Sequence, residues 1–311
     1  MATTTATAGI AVREEWRRPS RSLWGDAWHH FRRHRLAMAG VGVVGTIVLA
    51  VLVGPLLWPI PYDKLDFGAT LLPPSLEHPF GTDDLGHDLF ARVLFGGRVS
   101  IAVGLTAVLL AITLGTVVGS ISGFFGGHLD NGLMRLTDMF LSLPQLPLLL
   151  LTIYLFRDPL RRLISPEFGI FVLIVTVIGL LTWMPTARLV RAGFLSLKQK
   201  EFVEAARTIG ASDARIIVRH ILPNVMSPIL VSATIGVGAA IITESALSFL
   251  GLGFPPDFPS WGRLLYDSQN YMDIAPQWAV FPGLAVFLTV LSVNYIGDGL
   301  RDALDPRRTQ R

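Results

Sequence analysis

The 311-residue chain contains no cysteine. That excludes a disulfide scaffold, a thiolate metal site and a cysteine nucleophile. Charge is scarce as well, at 16% of residues against about 25% in soluble domains. No Gly-Lys-Ser/Thr phosphate loop occurs, so the chain has no nucleotide cradle of that type. No His-Glu-x-x-His is present, and the seven histidines lack a metal-site arrangement. No Gly-x-Ser-x-Gly elbow offers a hydrolase nucleophile. The expectation is a chain with no catalytic residues and no metal site of its own.

What is abundant is apolar sequence, with 51% hydrophobic residues and a mean hydropathy of +0.53. Thirty Gly and twenty Pro are many for a soluble bundle but ordinary for transmembrane helices. The segments Leu36–Ile60, Val99–Phe125, Met139–Phe156, Phe168–Ala187 and Ile274–Gly297 hold no charge, and Ile221–Pro256 holds one, Glu244. A membrane-crossing helix needs about 20 such residues. The fold class predicted is therefore all-α, a polytopic membrane protein with six transmembrane helices. The first run is too long for a secretory h-region and follows an Arg-rich segment, so it reads as a retained span.

Lysine and arginine set the orientation. With the N-terminus inside, inner segments carry 19 of the 26 and outer segments 7, although Arg157, Arg161 and Arg162 sit in a short outer loop. Both termini are expected in the cytoplasm. This placement accounts for the basic pI of about 9.5 without nucleic acid.

Residues 1–35 read as a cytoplasmic N-terminal segment. Its first part is expected to be disordered. Leu23–Arg35 reads as an amphipathic helix with Leu23, Trp24, Trp28 and Phe31 on one side, either lying on membrane lipid or anchoring the first span. Residues 36–98 read as the first span with an extracytoplasmic loop. In that loop Asp83, Asp84 and Asp88 flank a turn, without the spacing of an EF-hand. They fit a structured contact loop better than a calcium site. Residues 99–300 read as a core of five helices, and 301–311 as a cytoplasmic tail. Pro144 and Pro147 should kink the third span.

The inner loop 188–224 is the longest inner segment between spans. Lys198–Ile209 reads as a short helix with Phe202, Ala205, Ala206 and Ile209 on one face. Gly210 stands where a left-handed C-terminal residue belongs. Ser212 is placed to cap a second helix from Asp213 into Leu222, ended by Pro223. The whole reads as a helix–Gly–helix elbow.

Glu204-Ala205-Ala206, then Gly210, then Leu222-Pro223 resembles the cytoplasmic loop of ATP-binding-cassette importer permeases. His220 departs from that pattern, which has an apolar residue there. Further segments are similar to the dipeptide/oligopeptide (or nickel) permease C-type subunit: 78–88 (HPFGTDDLGHD) running on to 98–101, 243–253 (TESALSFLGLG), 259–262 (PSWG), 281–283 (FPG) and 294–306 (NYIGDGLRDALDP).

The resemblance implies the type I ABC importer permease fold and a non-catalytic membrane subunit of an ATP-driven peptide importer. Its implied partners are a B-type permease subunit, ABC ATPase subunits and an extracytoplasmic substrate-binding protein. ATP and Mg would be held by the ATPases and no cofactor by this chain. The location implied is the bacterial cytoplasmic membrane. Glu204, Ala205, Ala206, Gly210, Leu222 and Pro223 become the ATPase-coupling residues. Glu244 and Asn294, polar residues within spans, are translocation-path candidates. For Glu244 the alternative is a buried structural contact. Rival functions are nickel or another small solute as cargo, an ion-coupled carrier and a membrane hydrolase. One intramembrane acid is thin support for a proton relay, and no hydrolase constellation can be assembled.

Overall fold

A computed structural model describes residues 23–163 and 165–304; the expected disorder of residues 1–20 and the end of the C-terminal motif lie outside them. The helices are α1 (Leu23–Arg33), α2 (Arg35–Leu57), α3 (Leu89–Phe125), α4 (Gly127–Ser142), α5 (Gln145–Leu163) and α6 (Pro166–Thr182). They continue with α7 (Met184–Leu197), α8 (Glu201–Thr208), α9 (Asp213–Arg215), α10 (Leu222–Phe249), α11 (Trp261–Asp267) and α12 (Gln277–Leu304). Among the described residues, four uninterrupted helices are long and apolar enough to cross a membrane, and the count rises to six if each of two bent pairs is one span.

Two of the predicted spans are bent pairs of helices, the third span bending where Pro144 was expected to kink it. Met139–Phe156 is not one helix, because α4 and α5 meet at 87° across Leu143 and Pro144. A residue before proline is driven out of the helical region, and Leu143 is extended at φ −79°, ψ 138°. Pro147 sits harmlessly in the first turn of α5, where its missing N–H has no partner to lose. Phe168–Ala187 likewise breaks at Trp183, with a 43° turn into α7 and Pro185 in the first turn beyond. The second span starts earlier than its apolar run, because Asp88 caps α3 by accepting the Ala91 N–H at 2.7 Å.

α3 is the central helix and packs on α2, α6, α7 and α10. Its contact with α7 runs along Gly115, Gly119 and Gly123, one glycine every fourth residue. A Cβ at Gly119 would lie 2.4 Å from the Ala187 carbonyl oxygen, and one at Gly123 2.6 Å from the Phe194 Cβ. Small residues at this spacing let helix backbones approach where burial from water supplies no drive. The main apolar core joins α3, α5, α6 and α10 through Val103, Ile153, Ile170, Ile174, Ile178 and Leu247.

Pro55 lies inside α2 and removes the N–H that would reach the Val51 carbonyl. Arg98 of α3 supplies the donors instead, with Nε to Val51 O and Nη2 to Leu52 O, both at 2.8 Å. In α1 the expected single apolar side is divided: Ala27 and Phe31 are buried, Phe31 against Gly299 of α12, whereas Trp28 is exposed.

At the end of the bundle opposite α1 and α8, residues 58–88 form a tight cap. Asp83 and Asp88 are buried rather than open to an ion. Asp83 Oδ1 accepts the N–H groups of Leu85 (3.0 Å) and His87 (2.8 Å). Its Oδ2 takes His87 Nδ1 at 2.7 Å and Arg92 Nη1 at 2.9 Å. Arg92 Nη2 reaches Pro256 O at 2.6 Å, tying the cap to the α10–α11 connection. Asp84 accepts the Tyr271 hydroxyl at 3.0 Å, and Phe80 stacks on Phe281 at 3.8 Å. Burial alone would push the Asp83 carboxyl up, but the His87 hydrogen bonds and the Arg92 charge hold it below the ordinary carboxylate range.

Candidate coupling elbow and translocation cavity

The elbow begins with α8, two turns long. Gly210 follows it at φ +81°, a left-handed conformation that costs glycine little. Two bonds close the turn: Gly210 N–H to Arg207 O at 2.9 Å and Ala211 N–H to Ala206 O at 3.0 Å. This is the paired pattern of a Schellman stop, as the Gly210 reading required. Ser212 stands at the head of α9, but its side chain makes no capping bond.

The face reading is half corrected. Ala206 is buried, but its companion is Val203, while Phe202, Ala205 and Ile209 point outward, Ile209 with 85% exposure. Glu201 and Glu204 are exposed on the same short helix. Val203 and Ala206 sit in a cluster with Phe124, Val190, Phe194, Ile216 and Ile221. α8 is therefore seated on α3, α7 and the start of the fifth span, with an apolar and acidic face left open.

Pro223 does not end the second helix. Asp213–Phe249 runs as one 37-residue rod, in which α9 passes through a π-helical turn, Ile216–Ile221, into α10. Leu222 N–H reaches back five residues to Ile217 O. Such a turn shifts the hydrogen-bond register, so Pro223 enters at the head of α10 without a broken ladder. Asn224 Nδ2 satisfies His220 O at 2.7 Å. Leu222 and Pro223 thus lie where the elbow joins the span rather than within the elbow itself.

Basic side chains brace the seat. Arg191 of α7 holds Asp130 of α4 through two bonds of 2.6 Å, and Ser122 of α3 donates to the same carboxylate. Lys198 Nζ donates to Gly123 O at 2.8 Å, beside the C-terminus of α3. Arg207 of α8 lies 5.5 Å over the Phe124 ring.

Beside this seat opens a cavity of about 820 Å³. Its walls come from α3 (Val108, Ala111), both helix breaks (Leu143, Gln145, Thr182, Pro185), α10 (Ser227, Ser232, Thr243) and the end of α12 (Arg301). Irregular backbone inside a bilayer is tolerated where it lines a cavity or is buried in protein, and both breaks do so here. The wall is mostly apolar with scattered hydroxyls, and Arg301 is its one ionisable group.

Neither path candidate lies on this wall. Glu244 is fully enclosed, 0% exposed, and accepts serine hydroxyls. Asn294 is half-buried at the α10–α12 contact, its Oδ1 3.5 Å from where a Cβ at Gly238 would sit. Of the two sequence readings of Glu244, the surroundings fit the buried structural contact, and its partners Ser100 and Ser260 lie too far away in sequence to have been foreseen. The cavity residues carried no signal either, since isolated Ser and Thr are common in spans. Among the described residues no group of three or more metal-ligating side chains occurs.

Four to six apolar spans among the described residues, two of them broken beside a cavity, with an exposed elbow mounted on them, define a multi-pass membrane protein. The chain is a member of the family described as binding-protein-dependent transport system inner membrane component, whose model matches residues 115–310. Residues 22–74 also match the N-terminal transmembrane domain of oligopeptide transport permease C.

The chain is 40% identical to the oligopeptide transport system permease protein OppC of Haemophilus influenzae, over 94% of this chain and 92% of that one. It is 38% identical to the dipeptide transport system permease protein DppC of Alkalihalophilus pseudofirmus, over 92% and 90%. It is 42% identical to the glutathione transport system permease protein GsiD of Escherichia coli, over 92% and 91%. Among solved structures, the inward-facing MetNI methionine ABC transporter matches with a TM-score of 0.52 at 18% identity, covering 68% of this chain and 94% of that one. That likeness bears on fold alone.

Proposed function

We propose that this chain is the C-type permease subunit of an ATP-driven importer of di- and oligopeptides. The observation that carries the proposal is the elbow: α8 offers an open face of Phe202, Glu204, Ala205 and Ile209 while Val203 and Ala206 root it in the helices that wall the cavity. A soluble motor needs such a short rigid handle. The permeases of oligopeptides, dipeptides and glutathione named above support the peptide cargo.

In this reading a B-type permease supplies the facing half of the route. ABC ATPases hold ATP and Mg and engage α8 from the cytoplasm, where both termini lie. An extracytoplasmic binding protein delivers the peptide. ATP binding closes the ATPases, α8 is pushed, and the two permeases rock from inward-open to outward-open. A volume of about 820 Å³ suits a short peptide.

The test uses Gly210→Val. At φ +81° a β-branched residue is strained, although open space surrounds the position. Uptake of a labelled dipeptide by cells carrying the variant should fall at least about tenfold, the mark of a coupling loss near 1.4 kcal/mol, with membrane levels of the chain retained. Wild-type uptake by the variant would overturn the coupling role. Unchanged dipeptide uptake when the chain is deleted, with nickel uptake lost, would overturn the cargo.

A further inference from the structure

Neither the elbow nor the cavity explains the serine cluster at Glu244. Ser248 (2.8 Å) and Ser260 (2.7 Å) donate to its Oε1, and Ser100 (2.9 Å) donates to its Oε2. These hydroxyls come from α10 itself, from the residue that caps α11, and from α3. Two of them also receive a backbone N–H from the first turn of α11: Trp261 onto Ser100 at 3.2 Å and Arg263 onto Ser260 at 3.1 Å. A hydroxyl has one proton to give. Accepting from α11 and donating to Glu244, it fixes the polarity of both chains. The unpaired N–H groups at the head of α11 are thereby relayed to the two oxygens of one carboxyl group.

Packing makes the same joint. A Cβ at Gly262 would lie 2.5 Å from the Ser245 Cα, and one at Gly253 only 1.8 Å from the Ser248 hydroxyl. Trp261 is buried and donates its ring N–H to Val93 O of α3 at 3.0 Å. Glu244 stands near the far end of the rod that begins at Asp213, on the order of 45 Å from the elbow at 1.5 Å per residue.

We propose that Glu244 is a positioning residue of the transport cycle: it fastens α11 to α10, so that displacement of α8 at one end of the rod becomes displacement of α11 at the other. This rests on the reading of α8 as the motor's handle. A carboxyl group suits the task because its two oxygens face hydroxyls from α10, from the head of α11 and from α3 at once. Glutamine would offer one acceptor and turn an N–H₂ group toward serine donors.

Ser260 and Ser248 provide the test, because both donate to Oε1 and both are buried. Ser260 ties Glu244 to α11 and accepts the Arg263 N–H, whereas Ser248 bonds Glu244 from the same helix, and its hydroxyl meets the α11 side only through a long 3.5 Å contact with the Ser260 hydroxyl. Ser260→Ala and Ser248→Ala are compared in the full complex with its partner permease and ATPases, in nanodiscs. Tyr266→Cys on α11 reports position through its rate of thiol labelling, with and without ATP and vanadate; the chain has no other cysteine.

The Ser248→Ala complex should keep the nucleotide-dependent change in labelling. The Ser260→Ala complex should lose it, with ATPase stimulation by peptide-loaded binding protein down about fivefold or more, the lower end of ordinary coupling between sites. Equal effects of the two substitutions, or a retained labelling change in Ser260→Ala, would overturn the proposal. If Ser260→Ala does not assemble, the near-isosteric Glu244→Gln takes its place: loss of the labelling change supports the link, and its retention overturns it. If peptide stimulates no ATPase activity in the wild-type complex, it is the functional reading that fails, while labelling still decides the link between α8 and α11.

Discussion

Arg92 has 6% of its side chain exposed, and its counterion Asp83 has 2%. A buried guanidinium left without its carboxylate costs more than the pair itself contributes. Asp83→Asn should therefore lower stability by about 3 kcal/mol, read as a fall in the melting temperature of the purified chain. The pH dependence has a definite sign. The Asp83 carboxyl is held below its ordinary range, so its contribution is fully present above the unfolded-state pKa and is lost as pH falls through the lower folded-state value. The amides of Leu85 and His87, which bond Asp83 Oδ1, should stay protected from hydrogen exchange through the usual carboxylate range and open only below it. Opening at the pH of a free carboxylate would refute this. At this scale, Gly210 was legible because a left-handed residue after a short helix almost demands glycine. The buried face of α8 was not. The helix carries two apolar stripes, Val203 with Ala206 and Phe202 with Ala205 and Ile209, and periodicity cannot choose between them.

Among the elements, α3 and α7 approach closely along the Gly115, Gly119 and Gly123 stripe. Gly119→Val should force the two backbones apart, because even its Cβ would lie 2.4 Å from a carbonyl that cannot move alone. Overpacking of this kind costs about 1–3 kcal/mol, measurable as a lower melting temperature in detergent. Gly42→Ala in α2 is the control, since nothing lies within 4 Å of its new methyl group. Equal melting temperatures for the two variants would show that the glycine stripe carries no packing constraint. The stripe was open to view in the sequence as three glycines four apart, though spans rich in glycine make it easy to pass over. The six apolar runs were legible because desolvating charge in a bilayer is costly, and that constraint acts along the whole length of a span. The prolines pointed to a kink in the third span, but its size was not legible, because hydropathy is indifferent to direction: Met139–Phe156 stays apolar straight through an 87° turn. Pro144 and Pro147 marked the neighbourhood, but only the extended backbone at Leu143 fixed the angle.

For the whole molecule, the two ends of the bundle differ in kind. One end carries α1, the elbow and the last turn of α12; the other carries the cap of residues 58–88 and α11. The lysine and arginine count of the sequence, 19 against 7, is the basis on which we propose that the first end faces the cytoplasm, as the positive-inside rule expects. The cysteine-free chain allows a direct check. Ser75 lies in the cap beside Leu76, which is 99% exposed, and Ser212 lies in the elbow; both serines are exposed. In intact cells, freed of any outer envelope, Ser75→Cys should react with a membrane-impermeant thiol reagent while Ser212→Cys stays unlabelled. ATPases bound at the elbow would also shield Ser212→Cys, so protection there does not by itself establish sidedness. Inverted vesicles washed free of ATPase separate the two causes. In them Ser212→Cys should label and Ser75→Cys should not, because only the face exposed to the reagent has changed. Labelling of Ser212→Cys in intact cells would invert the assigned orientation, and with it the direction from which α8 can be pushed.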